Sequence, residues 1–475
     1  MKNSPQNSFR LFCCCGLLFF IFLAAISSCK KDGFISSTNA LINISVDSLK
    51  YDTVFTQTGS ITQIFKISNP NNENLLLSTV KLMGGAGSAF SINVNGVASN
   101  QVNNITIAAN DSIYVFVTVK INPNTTNLPF IVKDSIFILF NGNNRFVQLE
   151  AYGKNAHFLY NKPITGNTVW TNDLPYVLLG SLQIDSTASL IIAAGCTIYV
   201  HANSPIIVNG RLTANGTHSN PVVFTGDRLD MAYKNLPASW PGVYFTKSST
   251  DNVLSFAHIK NATQAVVAEQ PTSNGNPKLT LHQCIIDNAS DVGLLAVNSS
   301  IIADNCLISN CGTNLSLTFG GNYQFTNCTV VAYSTNFISH KMPVLEINNL
   351  AIANASSSTS LNAVLRNCIF WGDTGFVNNQ ILVNKQASNA FHVIFEHCLY
   401  NSTDTPANST ISGSVKNLDP LFNNIDLLNQ LFNFHTTGPG APGVNMGVDN
   451  TGFNRDLDNN NRSVGITDIG CYEKQ

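Results

Sequence analysis

A short motif centred on cysteine recurs through the second half of the chain and limits its possible folds more than any other feature. Its five copies contain Cys284, Cys306, Cys328, Cys368 and Cys398, at intervals of 22, 22, 40 and 30 residues. A degenerate sixth copy has Ala257 at the same position, 27 residues before Cys284. A period near 22 residues is that of one coil of a β-solenoid, and longer intervals indicate coils with loop insertions.

Alignment of the copies on the Ala/Cys position gives columns that fit two short strands joined by a bend. Two columns are mostly apolar, as inward-facing strand positions should be. They lie two residues after the cysteine (Ile259, Ile286, Ile308, Val330, Phe370, Tyr400) and three before it (Leu254, Leu281, Ala303, Phe325, Leu365, Phe395).

Between these columns, one residue before the cysteine, most copies have an amide side chain: Gln283, Asn305, Asn327 and Asn367, with His397 in the last copy. Asparagine tolerates the left-handed backbone of a tight bend. We therefore predict a bend here, and amides that hydrogen-bond from coil to coil.

These features resemble the right-handed parallel β-helices of the pectin-lyase-like class, which carry an asparagine ladder. Residues 190–198, 206–217, 220–225 and 240–245 look like the first coils of secreted bacterial β-helix proteins. Residues 419–422, 441–447, 456–462 and 468–473 are similar to the C-terminal part of choice-of-anchor Q β-helix proteins, with Gly440 and Cys471 as departures. The resemblance covers roughly residues 165–475 and implies a fold, because that group has no general activity.

The expected chain is all-β, with an N-terminal sandwich before the helix. Short alternating runs separated by turn residues fill residues 36–156, which look like a cysteine-free immunoglobulin-like module acting as a spacer. A right-handed parallel β-helix of about ten coils, about 50 Å long, is expected over residues 160–415. Residues 416–475 break the period and are predicted to cap its open end.

The first 29 residues have the pattern of an export signal. Lys2 and Arg10 precede an uncharged run from residue 11 to 26, followed by Ser27, Ser28 and Cys29. The tetrad of residues 26–29 resembles the lipobox of bacterial lipoproteins, which implies lipid attachment at Cys29 and a place on the outer membrane, exposed at the cell surface. An ordinary cleaved signal and a short anchor helix are the alternatives.

Charged residues make up only 11% of the chain and the net charge is −2, which excludes a basic nucleic-acid surface. Two residues before the cysteine, stacking would place His282 beside Asp304 and Arg366 beside Glu396. His282 and Asp304 are the candidates for catalysis, either of them as a general base. The alternative is charge complementarity between strands, which Lys260 and Asp287 show in another column.

The spacing of the cysteines gives little support for disulfide bonds, and the scattered positions of potential metal ligands give little support for a metal site. We predict that the eight cysteines after Cys29 are reduced and buried, with Cys306 and Cys311 as the pair to test for a disulfide. No metal-ligand spacing appears. Asp456, Asp458 and Asn460 resemble the start of a calcium loop, but the sixth position is Asn461 and the twelfth is Thr467.

Three tryptophans could stack on sugars if exposed: Trp170, Trp240 and Trp371.

The sequence predicts a lipid-anchored, non-catalytic protein that binds glycans or surface macromolecules along an Asn/Ser/Thr-rich face. Side chains that hydrogen-bond without charge suit neutral sugars better than polyuronates. The alternatives are a polysaccharide lyase or glycoside hydrolase acting along the helix, and a purely structural surface component.

Overall fold

The computed structural model describes residues 33–56, 59–122, 130–230, 233–350, 358–373, 375–386, 388–438, 440–449, 451–462 and 465–475. Within them the protein is built of strands, with one short 3-10 turn at Gly85–Gly87. None of the described residues forms a helix long and apolar enough to cross a membrane. The predicted signal and Cys29 lie outside the described residues. The chain divides into two compact units between Lys154 and Asn155.

The first unit is a β-sandwich, as predicted. One five-stranded sheet contains Asn43–Ile44, Gln63–Ser68, Ser112–Val119, Phe90–Val94 and Val97–Ala98, and the other contains Ser48–Phe55, Asn143–Lys154, Phe130–Phe140, Leu75–Leu82 and Gln101–Ile107. All pairings are antiparallel except that of Ser48–Phe55 with Asn143–Lys154. Alternate residues of both sheets, such as Phe65, Leu77 and Ile138, are at most 1% exposed and form one core.

The second unit is a parallel β-helix with three sheets, numbered here in the order in which a coil visits them, starting before the predicted bend. Sheet 1 contains Asn167–Trp170, Ser189–Ala193, Arg211–Asn215, Asn252–Ser255, Leu279–His282, the second halves of Val292–Asp304 and Thr313–Thr326, Leu361–Arg366, Phe391–Glu396 and Thr410–Ser412. Sheet 2 contains His157–Tyr160, Tyr176–Leu179, Thr197–Val200, Val222–Gly226, Ala257–Lys260, Ile285–Asp287, Leu307–Ser309, Thr329–Ala332, Ile369–Gly372, Leu399–Tyr400 and Val415–Lys416. Sheet 3 contains Leu182–Ile184, Ile206–Val208, Val243–Phe245, Gln264–Glu269, the first halves of the same two long strands, Leu345–Asn348 and Ile381–Asn384.

Sheet 2 has eleven strands, which agrees with the expected number of coils. The five cysteines of the motif are fully buried in one core cluster with the two apolar columns. Each thiol donates a hydrogen bond to a backbone carbonyl of the preceding coil, that of the residue three positions before the Ala/Cys position. Examples are Cys306 Sγ to Leu281 O at 3.6 Å and Cys398 Sγ to Leu365 O at 3.3 Å. All eight cysteines of the described residues are free. Because burial raises the pKa of the Cys328 and Cys368 thiols well above its usual range, these thiols stay protonated and can donate.

The predicted bend joins sheet 1 to sheet 2. Its residues have φ angles of 50–53° in all five copies, in the left-handed region: Gln283, Asn305, Asn327, Asn367 and His397. The amide ladder forms at one step only, where Asn367 Nδ2 donates to Asn327 Oδ1 at 2.9 Å. The other amides bond elsewhere, and Asn305 donates to Asp304.

The C-terminal residues form hydrogen bonds along this bend. Gln283 Nε2 donates to Asp456 O at 2.6 Å, Asn367 exchanges hydrogen bonds with the backbone of Val448, and His397 Nδ1 lies 2.8 Å from Met446 O. In the described part of the chain, the final strands of sheets 1 and 2 each pair on one side only. The cap predicted for the open end of the β-helix stays a prediction.

We call residues 441–475 the strap, and a buried ion pair fixes it. Arg462 is 3% exposed, and its guanidinium donates to Asn305 Oδ1 at 2.7 Å, Gly470 O at 2.8 Å and Glu473 Oε2 at 3.2 Å. Burial raises the pKa of Glu473 to about 7. A hairpin of Phe422–Asp426 and Leu431–Thr436 precedes the strap and packs against the outer side of sheet 2 through Phe434.

Candidate functional site

The outer face of sheet 1 carries both predicted charge pairs, and its side chains form three columns. The central column is mostly aliphatic or hydroxylic, and its members are neighbours in register from coil to coil: Val169, Ile191, Thr213, Val253, Thr280, Ile302, Gln324, Val364, Ile394 and Thr410. Parallel pairing in constant register places these side chains one above another. The face is therefore a stripe with little charge along its centre.

The column beside the bend contains two ion pairs, as predicted. His282 Nδ1 lies 2.5 Å from Asp304 Oδ1, and Arg366 Nε lies 2.6 Å from Glu396 Oε2. The Asp304 side chain is 3% exposed, whereas that of His282 is 38% exposed. Asn305 Nδ2 donates to the other oxygen of Asp304 at 3.0 Å.

The electrostatics of the first pair suit proton transfer. The hydrogen bond to Asp304 raises the pKa of His282 above its usual value, although burial of the imidazole opposes this. Nε2 of His282 has no hydrogen-bond partner among the described residues. A half-exposed imidazole oriented by a buried carboxylate can accept a proton from a bound molecule.

A groove of about 290 Å³ lies on the same face and includes members of the central column. Its floor includes Ile302 and Val364, and its rim carries the exposed amides of Asn322, Gln324 and Asn362. Asn362 Nδ2 donates to Asn322 Oδ1 at 2.8 Å, which orients both amides. Amides beside an aliphatic floor can bond hydroxyl groups while the floor contacts C–H groups.

The carboxylates of this face are too far apart for glycosidase chemistry. Asp304 and Glu396 are separated by three steps of the register, which is about 14 Å at the usual spacing of parallel strands. Inverting glycosidases place their two carboxyl groups about 6.5–9.5 Å apart, and retaining ones about 5–5.5 Å. Each carboxylate is also held by a basic partner.

Lys260 and Asp287 are neighbours in register on sheet 2, as predicted, but they do not form an ion pair. Ser309 Oγ donates to Asp287 Oδ1 at 2.7 Å. Desolvation raises the pKa of Asp287. The charge of Lys260 still acts to lower the pKa of Asp287, so the expected complementarity is present without a close contact, and the hydroxyl of Ser309 supplies the hydrogen bond.

The tryptophans are packing residues. Trp170 is 4% exposed and stacks on Tyr176, and Trp240 is fully buried with its Nε1 donating to Lys260 O at 2.8 Å. Trp371 packs beside the cluster that contains Phe434. The first two have no open ring face for a sugar.

The calcium-like residues do not converge. Asp456 accepts the backbone N–H groups of Asn460 and Glu473, whereas Asp458 lies 2.6 Å from His435 Nε2. Within the described ranges, no group of three or more His, Cys, Asp or Glu side chains is arranged to hold a metal ion.

The sequence alignment missed a second asparagine column. Asn261, Asn288 and Asn310 follow the Ala/Cys position by four residues and have φ angles of 63°, 57° and 50°. Asn288 Nδ2 donates to Asn261 Oδ1 at 2.8 Å. The column directly follows the one that contains Lys260 and Asp287. Extending the alignment by one position would therefore have revealed it.

We predict a pH signature for the His282 pair. NMR titration of the histidine ring signals should give His282 a midpoint above 6.5, and Asp304→Asn should lower that midpoint because it removes the carboxylate. His258 is an internal control, because burial lowers its pKa to about 4. Because folding raises the pKa of His282, the pair stabilises the folded protein at pH values below the pKa of the unfolded state. This contribution is lost as the pH rises through the pKa of the folded state. An unchanged midpoint in Asp304→Asn would contradict the assignment.

Of the comparisons with known proteins, the family model bears on the β-helix. No curated protein matches the chain. Among solved structures, the SafA pilin of Salmonella enterica in complex with the SafB chaperone is 14% identical over 25% of this chain and 56% of its own (TM-score 0.17). A family 123 glycoside hydrolase from Clostridium perfringens is 12% identical over 26% of each chain (TM-score 0.18). The match thus spans about half of the pilin chain and a quarter of the hydrolase chain. TM-scores this low support no inference. Residues 162–276 match the family model described as "Pectate-lyase like beta helix domain", so the second unit contains a β-helix domain of the pectate-lyase-like kind.

Proposed function

We propose that the protein binds a neutral polysaccharide along the outer face of sheet 1 and does not cleave it. The observation that carries this proposal is the groove in which the Asn322–Asn362 amide pair flanks the aliphatic side chains of Ile302 and Val364. Sugar rings offer hydroxyl groups at their edges and C–H groups on their faces, and this arrangement matches both. The periodic column extends the same chemistry along the helix.

The charges of the face favour a neutral polymer. Every Asp, Glu, Lys and Arg within the strands of sheet 1 is in an ion pair: His282–Asp304, Arg366–Glu396 and Arg211–Asp251, the last at 2.7 Å. A polyuronate would need unpaired cations for its carboxylates, as charge-assisted hydrogen bonds usually provide. A neutral chain leaves the existing pairs in place.

The proposal includes attachment to the cell surface. Cys29 would carry the lipid, and the sandwich would hold the β-helix away from the outer membrane. In cells given labelled palmitate, we expect labelled protein in the membrane fraction, and we expect Cys29→Ser to lose both the label and the attachment. Ser36→Thr, an exposed position outside the tetrad of residues 26–29, is the matched control. Unchanged labelling of Cys29→Ser would contradict the anchor.

A second candidate is a polysaccharide lyase or hydrolase with His282 as general base. The buried Asp304 behind a half-exposed His282 favours it, because this pair can orient and receive a proton. The separation of Asp304 from Glu396 speaks against hydrolysis by two carboxylates.

Binding is tested by affinity electrophoresis against a panel of neutral and acidic polysaccharides. We expect retardation by at least one neutral polymer, and we expect the double variant Asn322→Ala/Asn362→Ala to bind about tenfold more weakly, because hydrogen bonds of about 1 kcal/mol each are lost. Asn384→Ala, an exposed amide on sheet 3, should bind like the unaltered protein.

Two results would contradict this proposal. One is retention that the double variant does not weaken. The other is release of unsaturated or reducing ends from a polymer, abolished by His282→Ala, which would establish the enzyme instead. Absence of any binding would favour a purely structural surface component.

A further inference from the structure

A second pocket lies where the C-terminal ends of three sheet 2 strands meet the C-terminal hairpin. Its volume is about 430 Å³, within the usual range for small-molecule sites. The second asparagine column forms one wall, the loop of residues 335–337 another, and Asn429, Gln430 and Phe432 of the hairpin a third. None of its lining residues belongs to the sheet 1 face.

Hydrogen bonds hold the walls together before any ligand arrives. The backbone N–H of Asn336 donates to Gln430 Oε1 at 2.9 Å, which joins the loop to the hairpin. Asn288 Nδ2 donates to Asn261 Oδ1 and, at 2.9 Å, to Asn235 O. The N–H of Tyr333 donates to Asn310 Oδ1 at 3.0 Å. Amides fixed in this way lose little freedom when they bind a ligand.

The pocket presents both donors and acceptors without a protein partner. Among the described residues, Asn310 Nδ2, Asn288 Oδ1 and Lys260 Nζ have no hydrogen-bond partner, and none of these three atoms is fully buried. They are therefore open to a ligand in the pocket, which can replace the water that bonds them. A ligand with several hydroxyl groups can both donate and accept here.

An aromatic ring beside these amides adds an apolar surface. Phe337 is 53% exposed and lines the pocket together with Phe432. An exposed phenyl ring can pack against the C–H face of a pyranose, and the burial of such a ring contributes substantially to binding. The two charged lining residues, Lys260 and Asp287, have opposite signs, so the pocket has no excess charge for an ionic ligand.

We infer that this pocket binds one or two neutral sugar residues, as a site separate from the polymer-binding face. The inference goes beyond the proposed function because no residue is shared between the two sites. It assigns the C-terminal hairpin a role in closing a ligand site, since Gln430 and Phe432 come from that hairpin.

The test is saturation-transfer difference NMR on the full chain with methyl glycosides of glucose, galactose, mannose and N-acetylglucosamine. We expect saturable transfer to at least one of them. Phe337→Ala and Asn288→Ala should each weaken it about tenfold or more, which corresponds to about 1.4 kcal/mol. Asn384→Ala, an exposed amide on sheet 3 outside both sites, is the matched control and should bind as before. The double variant Asn322→Ala/Asn362→Ala is measured beside it to detect any transfer that comes from the sheet 1 face.

The outcomes separate this inference from the proposed function. Transfer that Phe337→Ala abolishes while polymer binding persists supports the pocket, and so does sugar binding in a protein that binds no polymer. Transfer to no glycoside overturns the inference, as does transfer that both pocket variants leave unchanged or that only the sheet 1 variant removes. Phe337 is exposed, so its replacement leaves the fold intact even if Asn288→Ala does not.

Discussion

Hydrogen bonding between equivalent positions of successive coils is the interaction on which the β-helix depends. Backbone pairing holds the strands in constant register, and the motif cysteines reinforce it because each thiol donates to a carbonyl of the preceding coil. The bend can exist only because its residues adopt left-handed φ angles near 50°. A slip of one residue would turn every buried side chain outward, so the register is strongly specified.

Constant register also decides what the outer faces can do. Side chains of one column lie about 4.8 Å apart from coil to coil, so like charges would repel and opposite charges pair. On sheet 1 the charged side chains pair with one another in this way. The rest of the face is a neutral stripe with amides beside it. The uncharged chemistry of the proposed glycan face is thus a consequence of the stacking.

The periodic features could be predicted from the sequence, and the contacts outside the period could not. The cysteine column, the bend and the pairing of His282 with Asp304 all follow from counting residues, because equal spacing places side chains on one face. The strap could not be found in this way, because Arg462 meets Asn305 across 157 residues without a repeat. The same holds for the hairpin wall of the proposed sugar pocket. Counting residues did place Lys260 beside Asp287, but it did not indicate that Asp287 accepts its hydrogen bond from Ser309.

The stacking is tested most directly by a distance between spin labels on two outward positions of one column. Asn215 and Ser412 are exposed and stand seven register steps apart, so labels on Asn215→Cys and Ser412→Cys should give a narrow distribution centred about 34 Å apart. Double electron–electron resonance measures this distance. The protein used has serine in place of the cysteines at 13, 14, 15 and 29, and the other cysteines are buried and so are not labelled. A broad distribution, or a distance far from this value, would contradict the continuous stack.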